Sequence, residues 1–163
     1  AAASDVYKRQ TEVHYHPQDP NEAERLAGFD DADDFEFIEL LNPSDQTLDL
    51  SRAEFVRVAT QDDAVGIEFE FANASTTRLG PGERVLVVED VDAFQFRYGM
   101  ELPVVGQWSG RLSNGGEMLT LTVDGQVLQQ FTYDDAWQPL TAGGAVVPAA
   151  WLGFTGNRKW VSQ

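Results

Sequence analysis

The sequence predicts an all-β fold, two antiparallel sheets closed over one core, with one or two short helices. Three observations lead there. Short β-branched or aromatic runs are separated by clusters of Gly, Pro, Asn and Asp, the punctuation of a chain that turns about every ten residues. Within those runs apolar and polar residues alternate, as they do in strands with one face buried. The third is size: 163 residues with 42% hydrophobic content are enough to close one core and too few for two comfortable ones.

Val13–His16 reads as a first strand, stopped by Pro17. Asn21–Ala27 can form one or two helical turns, with Glu22 and Glu24 at the positive end of the dipole. The acidic loop Asp30–Asp34 follows. Phe35–Leu41 is the strongest strand, with Ile38 and Leu40 on one face and Phe37 and Glu39 on the other, and Asn42-Pro43-Ser44-Asp45 turns the chain. Leu48 and Leu50 bracket Asp49 in a short strand. Phe55–Val58 forms another, and Ile67–Phe71 a fourth of this kind, with Ile67, Phe69 and Phe71 on one face.

Leu79-Gly80-Pro81-Gly82 is a turn feeding the apolar run within Arg84–Glu89, which reads as a central strand. Asp92–Tyr98, after a cap at Asp90 or Asp92 and before Gly99, reads as a short helix plugging one end of the sandwich. Met118–Val123 and Val127–Tyr133 flank Asp124-Gly125, a pair suited to a two-residue hairpin turn with both central φ angles positive. The division is therefore residues 1–10 as a non-native or disordered arm, 11–140 as the domain and 141–163 as an irregular segment.

The formal net charge is -16, and all but one of the 27 acidic residues lie between Thr11 and Leu140. Such a surface repels phosphate backbones and anionic lipid, which disfavours nucleic acid and membrane partners and leaves cations and basic proteins. The absence of Cys removes disulfides, thiolate nucleophiles and sulfur-ligated zinc. No run approaches the length of a membrane span, and the first ten residues lack the apolar centre of a signal peptide. Because it starts without Met, the chain is expected to be a fragment, of the kind found in metagenomic reading frames.

Several strings fall in a fixed order: Glu36-Phe37-Ile38-Glu39-Leu40-Leu41-Asn42-Pro43, Leu48-Asp49-Leu50-Ser51, Leu79-Gly80-Pro81-Gly82-Glu83, Trp108-Ser109-Gly110-Arg111-Leu112-Ser113-Asn114-Gly115-Gly116-Glu117 and Phe131-Thr132-Tyr133-Asp134-Asp135-Ala136-Trp137. Together, from about Glu12 to Leu140, they resemble the bacterial lamin-tail domain. That resemblance implies an immunoglobulin-like sandwich appended to large secreted or cell-surface bacterial proteins, with no single chemistry attached to the fold. It implies a protein partner, or neighbouring domains of the same polypeptide, and leaves the oligomeric state open. Gln138–Gln163 departs from the family pattern, as a frameshift or a truncated reading frame would make it.

Four constellations carry candidate chemistry. Asp30, Asp31, Asp33 and Asp34 offer hard oxygen ligands for calcium, without the spacing of an EF-hand; the alternative is a solvated loop. His14 and His16 share a strand face and would need a third ligand, such as Asp33 or Asp34, to hold zinc for a metal-dependent hydrolase. Trp108 and Trp137 can serve as a binding surface for sugar rings, or simply pack. The pairs Glu36 with Glu39, and Glu68 with Glu70, have the residue types of a glycosidase acid and base, but Glu68 and Glu70 point to the face opposite Ile67, Phe69 and Phe71, where exposure favours solvation over the desolvated pocket such chemistry needs. The expectation is a non-enzymatic binding or structural module, with a calcium-assisted or carbohydrate-binding sandwich as the alternative.

Overall fold

The computed structural model describes residues 11–42, 44–134 and 145–146. In chain order the strands are β1 (Thr11–His14), β2 (Phe37–Leu41), β3 (Leu48–Asp49), β4 (Ala53–Val56), β5 (Val58–Ala59), β6 (Ala64–Val65) and β7 (Ile67–Glu70). They continue as β8 (Arg78–Leu79), β9 (Arg84–Val88), β10 (Val104–Gln107), β11 (Ser109–Gly110), β12 (Gly116–Val123), β13 (Gln126–Asp134) and β14 (Ala145–Val146). The helices are α1 (Glu22–Leu26) and α2 (Val91–Tyr98).

One sheet has the order β10-β9-β2-β1-β14 and the other β11-β7-β4-β12-β13, with small ribbons β3-β8 and β5-β6 beside them. Alternation dictates the layering. Val13, Ile38, Leu40, Val85 and Val87 from the first sheet meet Phe55, Ile67, Phe69, Leu119, Leu121 and Tyr133 from the second in one buried core. The opposite face of the first sheet carries Phe37, Leu86 and Val88, which pack under Phe94 of α2. Since β9 is covered on both sides, its Val85–Val88 run is uninterrupted, as in strands with no solvated face. A fully buried Phe such as Phe94 contributes roughly 2–3 kcal/mol.

The expected sandwich is therefore present, with two corrections. Pairing is not wholly antiparallel: β10 runs parallel to β9, because α2 carries the chain across between them and a helical crossover returns it in the same direction. The irregular segment also holds a strand, β14, paired antiparallel to β1 through Glu12–Val146 and Val13–Ala145. Two small residues give alternation too little to show.

Local chemistry fixes the turns. The side-chain amide of Asn42 donates to the carbonyls of Gln46 (2.6 Å) and Leu79 (2.8 Å), and its oxygen accepts from the Ser44 N–H (3.0 Å). One buried Asn thus ties the turn after β2 to the Gly80–Gly82 turn. Asp124 (φ 53°) and Gly125 (φ 75°) form the hairpin with both central angles positive. In α1, Asn21 and Glu24 cap each other reciprocally, and Glu24 also holds Arg97 of α2 through two bonds of 2.8 Å. The Arg97 guanidinium lies 3.4 Å from the centre of the Phe35 ring, so one cation locks α1, α2 and the 3-10 turn Ala32–Phe35 that precedes β2 together.

Candidate binding site

The two histidines part company. His14 is buried, its ring stacked on Phe37 at 4.7 Å, with Nε2 3.4 Å from the Tyr98 hydroxyl. Burial, reinforced by the Arg97 charge and by His16, pulls its pKa down to about 3, so it is a neutral packing residue at ordinary pH. His16 is exposed and lines a pocket of about 660 Å³ with Asp19, Asp30, Asp31, Asp33 and Asn114. Among the described residues no three His, Asp or Glu side chains converge to hold a metal ion.

The acidic loop is ordered. Asp31 caps a 3-10 turn over Ala32–Phe35, its Oδ1 accepting from the Asp33 N–H at 3.1 Å. That turn sets its carboxylates beside two other acidic segments. The Glu36 N–H donates to the Asp33 carbonyl (3.0 Å), and the Glu89 N–H to the Glu36 carbonyl (3.1 Å). Asp90 follows Glu89 as the cap of α2, accepting from the Ala93 N–H at 2.9 Å. Burial, followed by Asp31 and Asp90, raises the Asp34 pKa. Burial, followed by Asp34 and Asp90, raises that of Glu89, against the opposing Arg111 charge.

Glu36 is the most extreme member. It is 0% exposed, and neither carboxyl oxygen meets hydrogen-bond geometry with any described group. Burial pushes its pKa up to about 10, helped by Asp33 first and then by Glu89 and Glu117, while the Leu112 backbone N–H opposes. A buried carboxyl without a cation stays protonated. Glu117, by contrast, is fully engaged: it accepts from the Ser113 N–H (2.9 Å), the Gly66 N–H (3.0 Å) and the Tyr133 hydroxyl (3.2 Å). The Ser113–Glu117 string is thus a carboxylate-held loop. Tyr133 also donates to the Ser113 carbonyl at 2.9 Å, and its hydroxyl is held protonated, by burial first and then by Glu117 and Glu36.

Sequence pairing of Glu36 with Glu39 as an acid and base does not survive. Three residues apart along extended backbone that runs from the end of the 3-10 turn into β2, they face opposite ways: Glu36 lies near Glu117 and Tyr133, whereas Glu39 meets Arg84 at 3.8 Å on the other face. Glu39 is not solvated either, since burial lifts its pKa to about 7 against the pull of Arg84. Glu68 and Glu70 are exposed as expected and line a shallow groove of about 420 Å³ with Asn73 and Gln107. Trp108 borders that groove but is only 4% exposed, so its ring is core and offers no stacking face; its indole N–H has no partner among the described residues. Trp137 lies outside the described residues.

Among the described residues no helix is long and apolar enough to cross a membrane. No known protein family matches the chain, and neither a curated protein nor a solved structure matches it.

Proposed function

We propose that this chain is a non-catalytic binding module of the lamin-tail type, carried by a larger exported or surface protein of a bacterium, and that it associates with other proteins. The observation that carries this reading is the gathering of carboxylates from three segments at one end of an apolar-cored sandwich. The groups that catalysis would need are committed elsewhere: His14 to packing on Phe37, Glu39 to Arg84, and Trp108 to the core. A one-signed surface of this kind steers and orients oppositely charged partners. The lamin-tail strings supply the expected setting, an immunoglobulin-like module outside the cell.

The test is association with the neighbouring domains of the parent polypeptide, expressed separately and followed by sedimentation velocity at low and high salt. Salt-sensitive complex formation is expected, with no turnover of chromogenic ester, phosphodiester or glycoside substrates. Turnover abolished by His16→Ala, or failure to associate with any neighbouring domain, overturns the reading.

A further inference from the structure

We infer that Asn114 is a site of spontaneous covalent modification, converting to aspartate and isoaspartate through ring closure by the Gly115 nitrogen, and that the product loosens the acidic end of the sandwich. The inference does not depend on the association reading.

Asparagine is among the thermolabile side chains, because its side-chain carbonyl carbon is open to attack by the backbone nitrogen of the next residue. Glycine, without a Cβ, gives that nitrogen the freest approach, and of the five asparagines only Asn114 precedes one. The fold widens the difference. Asn42 precedes Pro43, which has no N–H to offer, and its amide is held by the Gln46 and Leu79 carbonyls. The Asn21 side-chain oxygen is engaged by the Glu24 N–H (3.0 Å). Asn73 is exposed, but its amide donates to Glu70 (3.1 Å), and the nitrogen that would attack it, that of Ala74, donates to the Phe71 carbonyl (3.1 Å). Asn114 and Gly115 are both exposed, at the centre of a turn closed by the Gly116 N–H on the Ser113 carbonyl (3.1 Å). Neither the Asn114 side chain nor the Gly115 N–H hydrogen-bonds to another described residue. Electrophile and nucleophile are thus adjacent and uncommitted.

The Gly115 nitrogen gives up its proton and bonds to Asn114 Cγ; the Cγ–Nδ2 bond breaks, and Nδ2 takes up a proton and leaves as ammonia. Water then opens the cyclic imide. Attack at Cγ yields aspartate, and attack at the main-chain carbonyl carbon yields isoaspartate, with the chain rerouted through Cβ and Cγ and one methylene longer. Either product brings a new carboxylate into the pocket wall that Asn114 shares with Asp19, Asp30, Asp31 and Asp33, where like charges repel. Isoaspartate also lengthens a turn whose Ser113 is held on both sides, its N–H by Glu117 (2.9 Å) and its carbonyl by the Tyr133 hydroxyl (2.9 Å).

The test is to warm the purified full chain at pH 8 and follow conversion by peptide mass spectrometry, as a gain of about 1 Da, and by isoaspartate-specific enzymatic methylation. Asn114 is expected to convert at least tenfold faster than Asn73, and Gly115→Ala to slow it at least tenfold. That variant keeps the fold, because residue 115 lies outside the left-handed region and an added Cβ meets Ser113 Oγ only at 3.8 Å. Converted chain, separated by anion exchange on its added charge, is expected to melt below the parent. Asn114 that converts no faster than Asn73, or at a rate unchanged by Gly115→Ala, overturns the site. So does conversion in the urea-unfolded chain but not in the folded one, since the turn would then protect the residue. A converted chain that melts with the parent overturns the coupling to the acidic end.

Discussion

Replacing Glu36 by Gln should stabilise this protein near neutral pH, an unusual outcome for a change at a fully buried position. The carboxyl has an ordinary value of 4.5 and is pushed up to about 10 in the fold. Between those values the folded state holds a proton that the unfolded chain releases. Stability from this group is therefore complete below pH 4.5 and declines as pH rises toward 10. At about 1.36 kcal/mol per pH unit, keeping Glu36 protonated costs about 3 kcal/mol at pH 7 and under about 1 kcal/mol at pH 5. Gln removes that cost but leaves an extra buried N–H, worth about 1 kcal/mol against it. The net expectation is a gain of about 2 kcal/mol at pH 7 that shrinks to nothing near pH 5. Urea unfolding of parent and variant, monitored by circular dichroism from pH 5 to pH 9, reads the difference, and contributions from Glu39 and His14 cancel in it. A variant destabilised at pH 7, or a difference independent of pH, would refute the reasoning.

His14 acts on the acid side with the opposite sign: its pKa is lowered from 6.5 to about 3, so its contribution is present above pH 6.5 and is lost as pH falls toward 3. His14→Leu should therefore gain about 2.5 kcal/mol at pH 4.5 relative to its effect at pH 7, read from the same urea curves. Arg97→Met leaves Glu24 buried without its cation and strips the contact over Phe35; a loss of about 3 kcal/mol is expected in urea unfolding at pH 7. Gly125→Ala forces a side chain into the left-handed region at φ 75° with open space around it, so the whole cost is conformational, about 1 kcal/mol, and shows as a small drop in Tm. Gly106→Ala should cost more, about 1–3 kcal/mol, because the added methyl runs into the Phe69 ring.

Much of the fold was legible in the residues. Ile67, Phe69 and Phe71 share a buried side while Glu68 and Glu70 face solvent, and the Asp124-Gly125 hairpin and the Asp90-capped helix lie where their turn and cap residues put them. What escaped was set by contacts distant in sequence. The parallel β9–β10 pairing depends on how α2 crosses the sheet, and β14 on a partner more than a hundred residues away. The site was half visible. Asp30, Asp31 and Asp33 were singled out as a cluster and do line one pocket, but Glu89, Asp90 and Glu117 join that end only through tertiary packing. Glu36 carried a usable signal, since a two-residue period from Ile38 and Leu40 turns it inward. The histidines misled because a strand that ends at His14 no longer holds His16 to the same environment.

The most direct test of the crowded acidic end is the protonation of Glu36 itself. Carbon-13 NMR of its side-chain carboxyl, assigned by comparison with Glu36→Gln, should show one protonated resonance unmoved from pH 4 to pH 9. A Glu36 carbon that moves through a titration within that range would mean that its carboxyl reaches solvent or a cation, and that the carboxylates are not packed as described.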